Sequence, residues 1–219
     1  VNNLDVILTD NGYAPISYNN PEVEWFFGPS AVANHWEYQP GTAPAFRVIW
    51  DQVNDQRFLA YALKAVGDDN TVYLKKPMSS SELGQSIRSA EAFLNRMEAY
   101  ALSGEEGLAL AELNAFRKTR VIGYTDVNLS GQTLLDEIRL ERRKELCFEG
   151  HRWFDLRRQG MPEIKHTYKA EKGGAVYEYV LQQGDPMYTL PFPNSVVLQN
   201  RALVQNPSRE MGARQGEIQ

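Results

Sequence analysis

Apolar positions recur with a helical period through the middle of the chain, and the period fades at both ends. Within residues 51–160, Asp51–Val66 predicts a first helix, stopped by Gly67 and the polar Asp68-Asp69-Asn70. Thr71–Lys75 predicts a short strand ahead of Pro77. Ser79-Ser80-Ser81-Glu82 supplies N-cap residues for a long helix that reaches Ser103 and stops at Gly104. A helix from Glu106 to Arg120 follows, then a polar loop after Gly123. The next helix runs from Thr133 to Glu149 and breaks at Gly150; a short one covers His151–Gln159, ended by Gly160 and Pro162. In residues 161–219, Lys165–Glu171 and Val176–Gln182 flank Lys172-Gly173-Gly174-Ala175, the pattern of a β-hairpin. Pro186, Pro191, Pro193 and Pro207 then predict an extended, turn-rich closing segment. Residues 1–50 show no period and predict long loops with short elements.

Charges interrupt the apolar arcs of three helices. At about 100° per residue, Leu134, Leu135, Ile138 and Leu146 share one arc, and Arg142, Glu145 and Glu149 fall on it too. Glu91 and Glu98 share an arc with Leu83, Ile87, Ala90, Leu94, Met97 and Ala101. Arg117 and Arg120 share one with Leu110, Leu113 and Phe116. An unpaired buried ion costs several kcal/mol, so such charges must meet partners. The inventory offers Glu91, Glu98, Glu145 and Glu149 against Arg117, Arg120, Arg142 and Arg152. Glu137, Glu141, Glu145 and Glu149 also recur at intervals of four, where like charges repel. Some of them are therefore expected to meet cations from another element. Acid–base catalysis by these carboxylates competes with a structural ion-pair network, and the structural reading is preferred. Trp153, Phe154 and Leu156 are expected to anchor the short helix in a core.

Composition narrows the chemistry. The chain has 219 residues, a net charge of −5 and 11% aromatics. The negative balance argues against a broad nucleic-acid surface. A single cysteine, Cys147, allows no intrachain disulfide, and three histidines without i,i+4 spacing predict no metal site. No cofactor is expected. No apolar run is long enough to span a membrane, and the first residues do not form a signal peptide. Helix pairs joined by short connections suggest a tetratricopeptide-type repeat. The expectation is one mainly α region of tetratricopeptide-like antiparallel helix pairs, with long aromatic-rich loops and a small β-hairpin.

The stretch Glu141-Arg142-Arg143-Lys144-Glu145-Leu146-Cys147-Phe148-Glu149-Gly150-His151-Arg152-Trp153-Phe154-Asp155-Leu156-Arg157-Arg158 closely resembles the SusD/RagB signature. Arg88–Tyr100, Leu113–Arg117, Leu190-Pro191-Phe192-Pro193 and Gln205-Asn206-Pro207 resemble further parts of that family. The sequence departs from it at Val196, where an acidic residue is common, and at Ser208, where glycine is usual. The resemblance implies a SusD-like α superhelix and a non-catalytic receptor for glycans, or for peptides in some branches. It also implies a surface-exposed lipoprotein of the bacterial outer membrane, acting with a SusC-like TonB-dependent transporter. The N-terminal half and its lipid anchor are expected to lie outside this chain.

Ligand contacts are expected in the variable loops. Trp25, Trp36 and Tyr38 can stack on sugar C–H faces, and Asn34 and Glu37 can take hydroxyls. Packing of these rings within the loops is the competing reading. Two other functions are weighed: a tetratricopeptide-type interaction scaffold, and a glycoside hydrolase, which needs two carboxyl groups at catalytic spacing in an open cleft.

Overall fold

The computed structural model describes residues 22–27, 44–64, 72–74, 85–171, 173–210 and 216–218. The chain is mainly helical and divides into two compact units, Val1–Gly150 and His151–Gln219.

The first unit contains β1 (Val23–Phe27), α1 (Pro44–Arg47), α2 (Gln56–Tyr61), β2 (Ala62–Lys64), β3 (Val72–Leu74) and β4 (Gln85–Arg88). Three longer helices follow: α3 (Ser89–Leu102), α4 (Glu106–Lys118) and α5 (Gly131–Glu145). Ala90, Leu94 and Met97 of α3 interlock with Ala109, Leu113 and Phe116 of α4, and with Leu134 and Ile138 of α5. The i, i+4, i+7 spacing gives each helix one apolar stripe. Ion pairs fix the directions. Arg96 of α3 meets Glu112 of α4, and Arg139 and Arg142 of α5 meet Glu98 and Glu91 of α3. Against α5 rising numbers meet falling ones, so α3 and α5 run antiparallel.

The tight α3–α4 turn follows from Gly104, at φ +85°. The Glu105 amide donates to the Tyr100 carbonyl, closing the helix end with a six-residue loop-back that needs a left-handed residue.

Four predicted boundaries move. The first helix begins at Gln56, not Asp51, because the Asp51 carboxylate accepts from the Val53 and Asn54 amides and holds a turn there. It ends at Tyr61, where strand pairing of β2 with β3 takes over. The long helix begins at Ser89. Residues 85–88 are drawn into an antiparallel ribbon with β1, so long-range pairing outcompetes local propensity. Ile87, placed on the apolar arc by the wheel, is accordingly 55% exposed. The end of α5 falls at Glu145, four residues earlier than predicted. Phe148 turns left-handed at φ +64° and sets its ring edge-on to Phe46.

The second unit opens with α6 (His151–Arg158) and continues through an antiparallel hairpin of β5 (Ile164–Lys169) and β6 (Val176–Leu181). β7 (Glu217–Ile218) adds a third strand beside β6. A one-turn helix at Pro186–Tyr188, α7 (Asn194–Gln199) and a further turn at Pro207–Glu210 complete it. Tyr188 is its anchor: its ring stacks on Trp153 at 4.9 Å, and its hydroxyl donates to the Pro162 carbonyl at 2.5 Å. The Ser208 hydroxyl donates to the Thr189 carbonyl at 2.6 Å, a bond that glycine could not make. Leu156 is buried and Trp153 half-buried, but Phe154 is 67% exposed and is not a core anchor. In an eight-residue helix Phe154 lies two positions from Leu156, about 200° round the axis, so the two cannot share a face.

Gly150 stands at φ +82° with open space around it. Gly150→Ala is expected to destabilise by about 1–2 kcal/mol through left-handed backbone strain alone. Urea denaturation of the variant against wild type checks this.

Candidate functional site

The densest chemistry in the first unit is an arginine–carboxylate network seated between short elements and the ends of α4 and α5. It starts with Glu145, whose side chain is buried. The Glu145 carboxylate accepts from Arg57 Nη1 at 3.0 Å, from Arg120 Nε and Nη2 at 3.0 and 3.2 Å, and from Arg88 Nη1 at 3.1 Å. Four charge-assisted donors saturate both oxygens. Arg88 also forks onto Glu149, through Nε at 3.0 Å and Nη2 at 2.7 Å, and donates to the Glu145 carbonyl at 3.1 Å.

Around this centre sit Asp55, Glu141 and Glu22. Asp55 receives Arg57 Nε and Nη2 at 3.0 and 2.8 Å, while its Oδ1 also accepts the Arg57 amide. One carboxylate thereby starts α2 and pairs its guanidinium. Arg57 Nη2 lies 2.6 Å from Glu141 Oε1, a charge contact and not an aligned hydrogen bond. Arg117 Nε holds the other Glu141 oxygen at 2.8 Å, and its Nη2 reaches Glu137 at 2.6 Å. Glu22 Oε2 lies 3.4 Å from Arg120 and 3.7 Å from Arg88.

Aromatic rings close the network. The Arg57 guanidinium lies 5.5 Å from the Trp50 ring centre, and Arg120 lies 4.8 Å from that of Phe116. Trp50 and Phe58 form a second apolar cluster with Phe46, Ile49, Ala60, Cys147 and Phe148 packed on it. Cys147 is half-buried there.

The predicted residues separate into groups. Glu145, Glu149 and Arg120 share the central network, and Arg117 joins it through Glu141. Arg142 meets Asn95 at 2.8 Å and Glu91 at 3.7 Å, and Glu98 takes Arg139. These form a separate α3–α5 seam. Arg152 is exposed in the second unit and is coupled to Asp155 and Tyr188 there. Arg57, Arg88, Asp55, Glu22 and Glu141 are central and were not among the residues chosen. The glutamate ladder was their one signal: Glu137, Glu141, Glu145 and Glu149 each meet at least one arginine.

The electrostatics suit a lock more than a proton shuttle. Burial alone would raise the Glu141 pKa, but Arg57, Arg117 and Lys144 outweigh it and hold it at about 2. Glu145 is likewise pulled well below the usual carboxylate range by Arg120, Arg88 and Arg57, against its burial. A glycosidase acid needs the opposite shift, a carboxyl that stays protonated near neutrality. Among the described residues no group of His, Cys, Asp or Glu could hold a metal ion, and no helix is long and apolar enough to cross a membrane.

Of the loop residues expected to meet ligand, Trp25 lies in β1 opposite Ile87 of β4. Asn34, Trp36, Glu37 and Tyr38 lie outside the described residues. The β1–β4 ribbon is rooted in the network at one end. Glu22 precedes β1 and Arg88 closes β4, and the Ser89 amide donates to the Glu22 carbonyl at 2.8 Å.

A mainly helical scaffold locked by buried arginine forks defines the class. Its family follows from the sequence profile of the SusD family, which matches residues 52–208, and the chain belongs to that family. The fold is similar to a SusD-like carbohydrate binding protein from Bacteroides vulgatus, with TM-score 0.58 and 20% identity over 91% of this chain and 53% of that one. A SusD superfamily protein from Bacteroides thetaiotaomicron gives TM-score 0.58 and 26% identity over 75% of this chain and 40% of that one. A third, from Bacteroides fragilis, gives 0.52 and 26% over 73% and 35%. The chain thus spans about half the length of these structures or less. No curated protein matches it.

Two outcomes test the network. Glu145→Gln is expected to cost about 3–5 kcal/mol, because three buried guanidiniums lose their shared anion, whereas Arg96→Ala at the exposed Arg96–Glu112 pair leaves the denaturation midpoint unchanged. The pH dependence follows from Glu141. Its folded pKa of about 2 lies below the ordinary 4.5. Its contribution to stability is full above pH 4.5 and is lost as pH falls through about 2. Melting temperatures measured from pH 6 to pH 2 should fall across that window in wild type, and fall less in Glu141→Gln.

Proposed function

We propose that the protein is part of a SusD-type surface receptor that captures nutrient glycans and delivers them to a SusC-like TonB-dependent transporter, without cleaving them. Membership of the SusD family over residues 52–208 carries this reading. The fold it shares with a protein named as SusD-like and carbohydrate binding supports it. In this reading the receptor sits at the outer membrane and is held there by a lipid on a part of the protein outside this chain.

The division of labour follows from the chemistry. The Glu145 carboxylate, already saturated by guanidiniums, has nothing left for a ligand. Recognition falls to Trp25, Trp36 and Tyr38 for ring stacking, with Asn34 and Glu37 for sugar hydroxyls. The network holds the root of the ribbon that carries Trp25.

Calorimetric titration of the full-length protein against oligosaccharide and peptide panels tests the proposal. Binding to a glycan without cleavage is expected, with Trp36→Ala weakening it by about tenfold, ~1.4 kcal/mol. Release of shorter sugars, or binding to peptides only, would overturn it.

A further inference from the structure

The hairpin of the second unit sorts its side chains by chemistry. Register sets Ile164 opposite Leu181, His166 opposite Tyr179, and Tyr168 opposite Tyr177. Strand alternation places these six on one face, and Ile218 of β7, opposite Tyr177, extends it. The other face takes Lys165, Thr167, Val180 and Glu178, with Glu217 opposite Glu178. Every Lys, Asp and Glu named here is thus on one side, while the opposite side holds phenols, an imidazole and aliphatic groups.

That aromatic side is open. Tyr168 is 57% exposed and Tyr179 36%, and His166 is exposed as well. Among the described residues the hydroxyls of Tyr168, Tyr177 and Tyr179 take no hydrogen-bond partner, and the rings do not stack on one another. A face built for a protein interior would bury such rings and satisfy their hydroxyls.

Gly216 supplies an independent observation. A Cβ there would lie 2.8 Å from Tyr177 Cβ and from Cε2 and Cζ of Tyr179. The Tyr179 ring therefore lies across the place that a side chain at 216 would fill. Glycine lets the ring lie along the sheet, backed by main chain on one side and open on the other. A ring held in this way loses little rotamer freedom when a ligand settles on it. Positions two apart on a strand are about 6.5 Å apart and cross-strand pairs about 5 Å, so the rings form a shallow, flat patch.

We propose that this face of the hairpin is a stacking platform for an uncharged pyranose glycan. The proposal rests on the glycan-receptor reading and adds to it a contact surface outside residues 1–50. Sugar C–H faces stack on Tyr168, Tyr177 and Tyr179, and the phenols and His166 exchange hydrogen bonds with sugar hydroxyls. Among the described residues of this face there is no Lys or Arg, so an acidic glycan finds no counter-charge among them.

The test titrates the full-length protein with soluble glucan, xylan and mannan, and with polygalacturonate as the acidic control. Three proteins are compared: wild type, Tyr168→Ala/Tyr179→Ala and Gly216→Val. At least one neutral glycan should bind wild type, and the double variant should lose tenfold or more in affinity at an unchanged melting temperature. Gly216→Val should weaken binding with both tyrosines still present, because its side chain displaces the Tyr179 ring. Where the double variant does not fold, Tyr168→Ser at the most exposed ring gives the same reading. Neutral-glycan binding retained in all variants would sink the platform and leave the receptor reading standing. Polygalacturonate binding that the tyrosine variants lose would overturn the neutral-ligand assignment. No binding by wild type to any of the four would overturn both.

Discussion

The Glu145 carboxylate accepts hydrogen bonds from three guanidiniums that arrive from separate stretches of chain: Arg57 in α2, Arg88 at the end of β4, and Arg120 just beyond α4. None of these elements is held by the α3–α4–α5 core alone. α2 is six residues long and β4 four, too short to persist on local hydrogen bonds. Their positions depend on charges that cannot be buried singly. An arginine moved out of the network leaves an uncompensated anion behind it, so the short elements and the helix ends are held together or released together.

Such a network adds less to stability than its number of contacts suggests, since desolvation offsets much of the attraction. Its larger effect is geometric. Guanidinium forks accept carboxylates only in plane, so each pair fixes an orientation as well as a distance. Glu22 and Arg88 extend that control to the root of the β1–β4 ribbon, and Trp50 and Phe116 close the cationic faces with aromatic rings. The acid ladder of α5 makes the setting specific. Glu137, Glu141 and Glu145 all meet arginines, with Arg117 and Arg57 shared between neighbours, so α5 cannot turn about its axis without breaking several pairs at once.

The helical middle of the chain was legible because its apolar stripes are long and periodic. Ala90, Leu94, Met97, Leu113, Phe116, Leu134 and Ile138 could be placed on a wheel before any fold was known. The same wheels exposed Glu145 and Arg120 as charges on a buried side. They could not reach Arg57, Arg88, Asp55 or Glu22, which lie in or beside elements too short to have a period. Residues 85–88 read as helix because their partner strand is some sixty residues upstream, beyond any local window. Phe154 shows the converse error: a large ring was assumed to seek the interior, and helix geometry placed it outside. Of the loop residues chosen for ligand contact, only Trp25 falls within the described residues.

The saturation of Glu145 also governs how freely the sequence can drift. A carboxylate shared by three arginines ties four positions to one another. A substitution at any of them is tolerated only with a simultaneous change at the others, a path that single mutations rarely complete. Tyr168 and Tyr179 carry no such obligations: both are exposed, and their cross-strand partners are Tyr177 and His166. The scaffold therefore inherits as a block, while the exposed hairpin face can change one residue at a time without disturbing the fold.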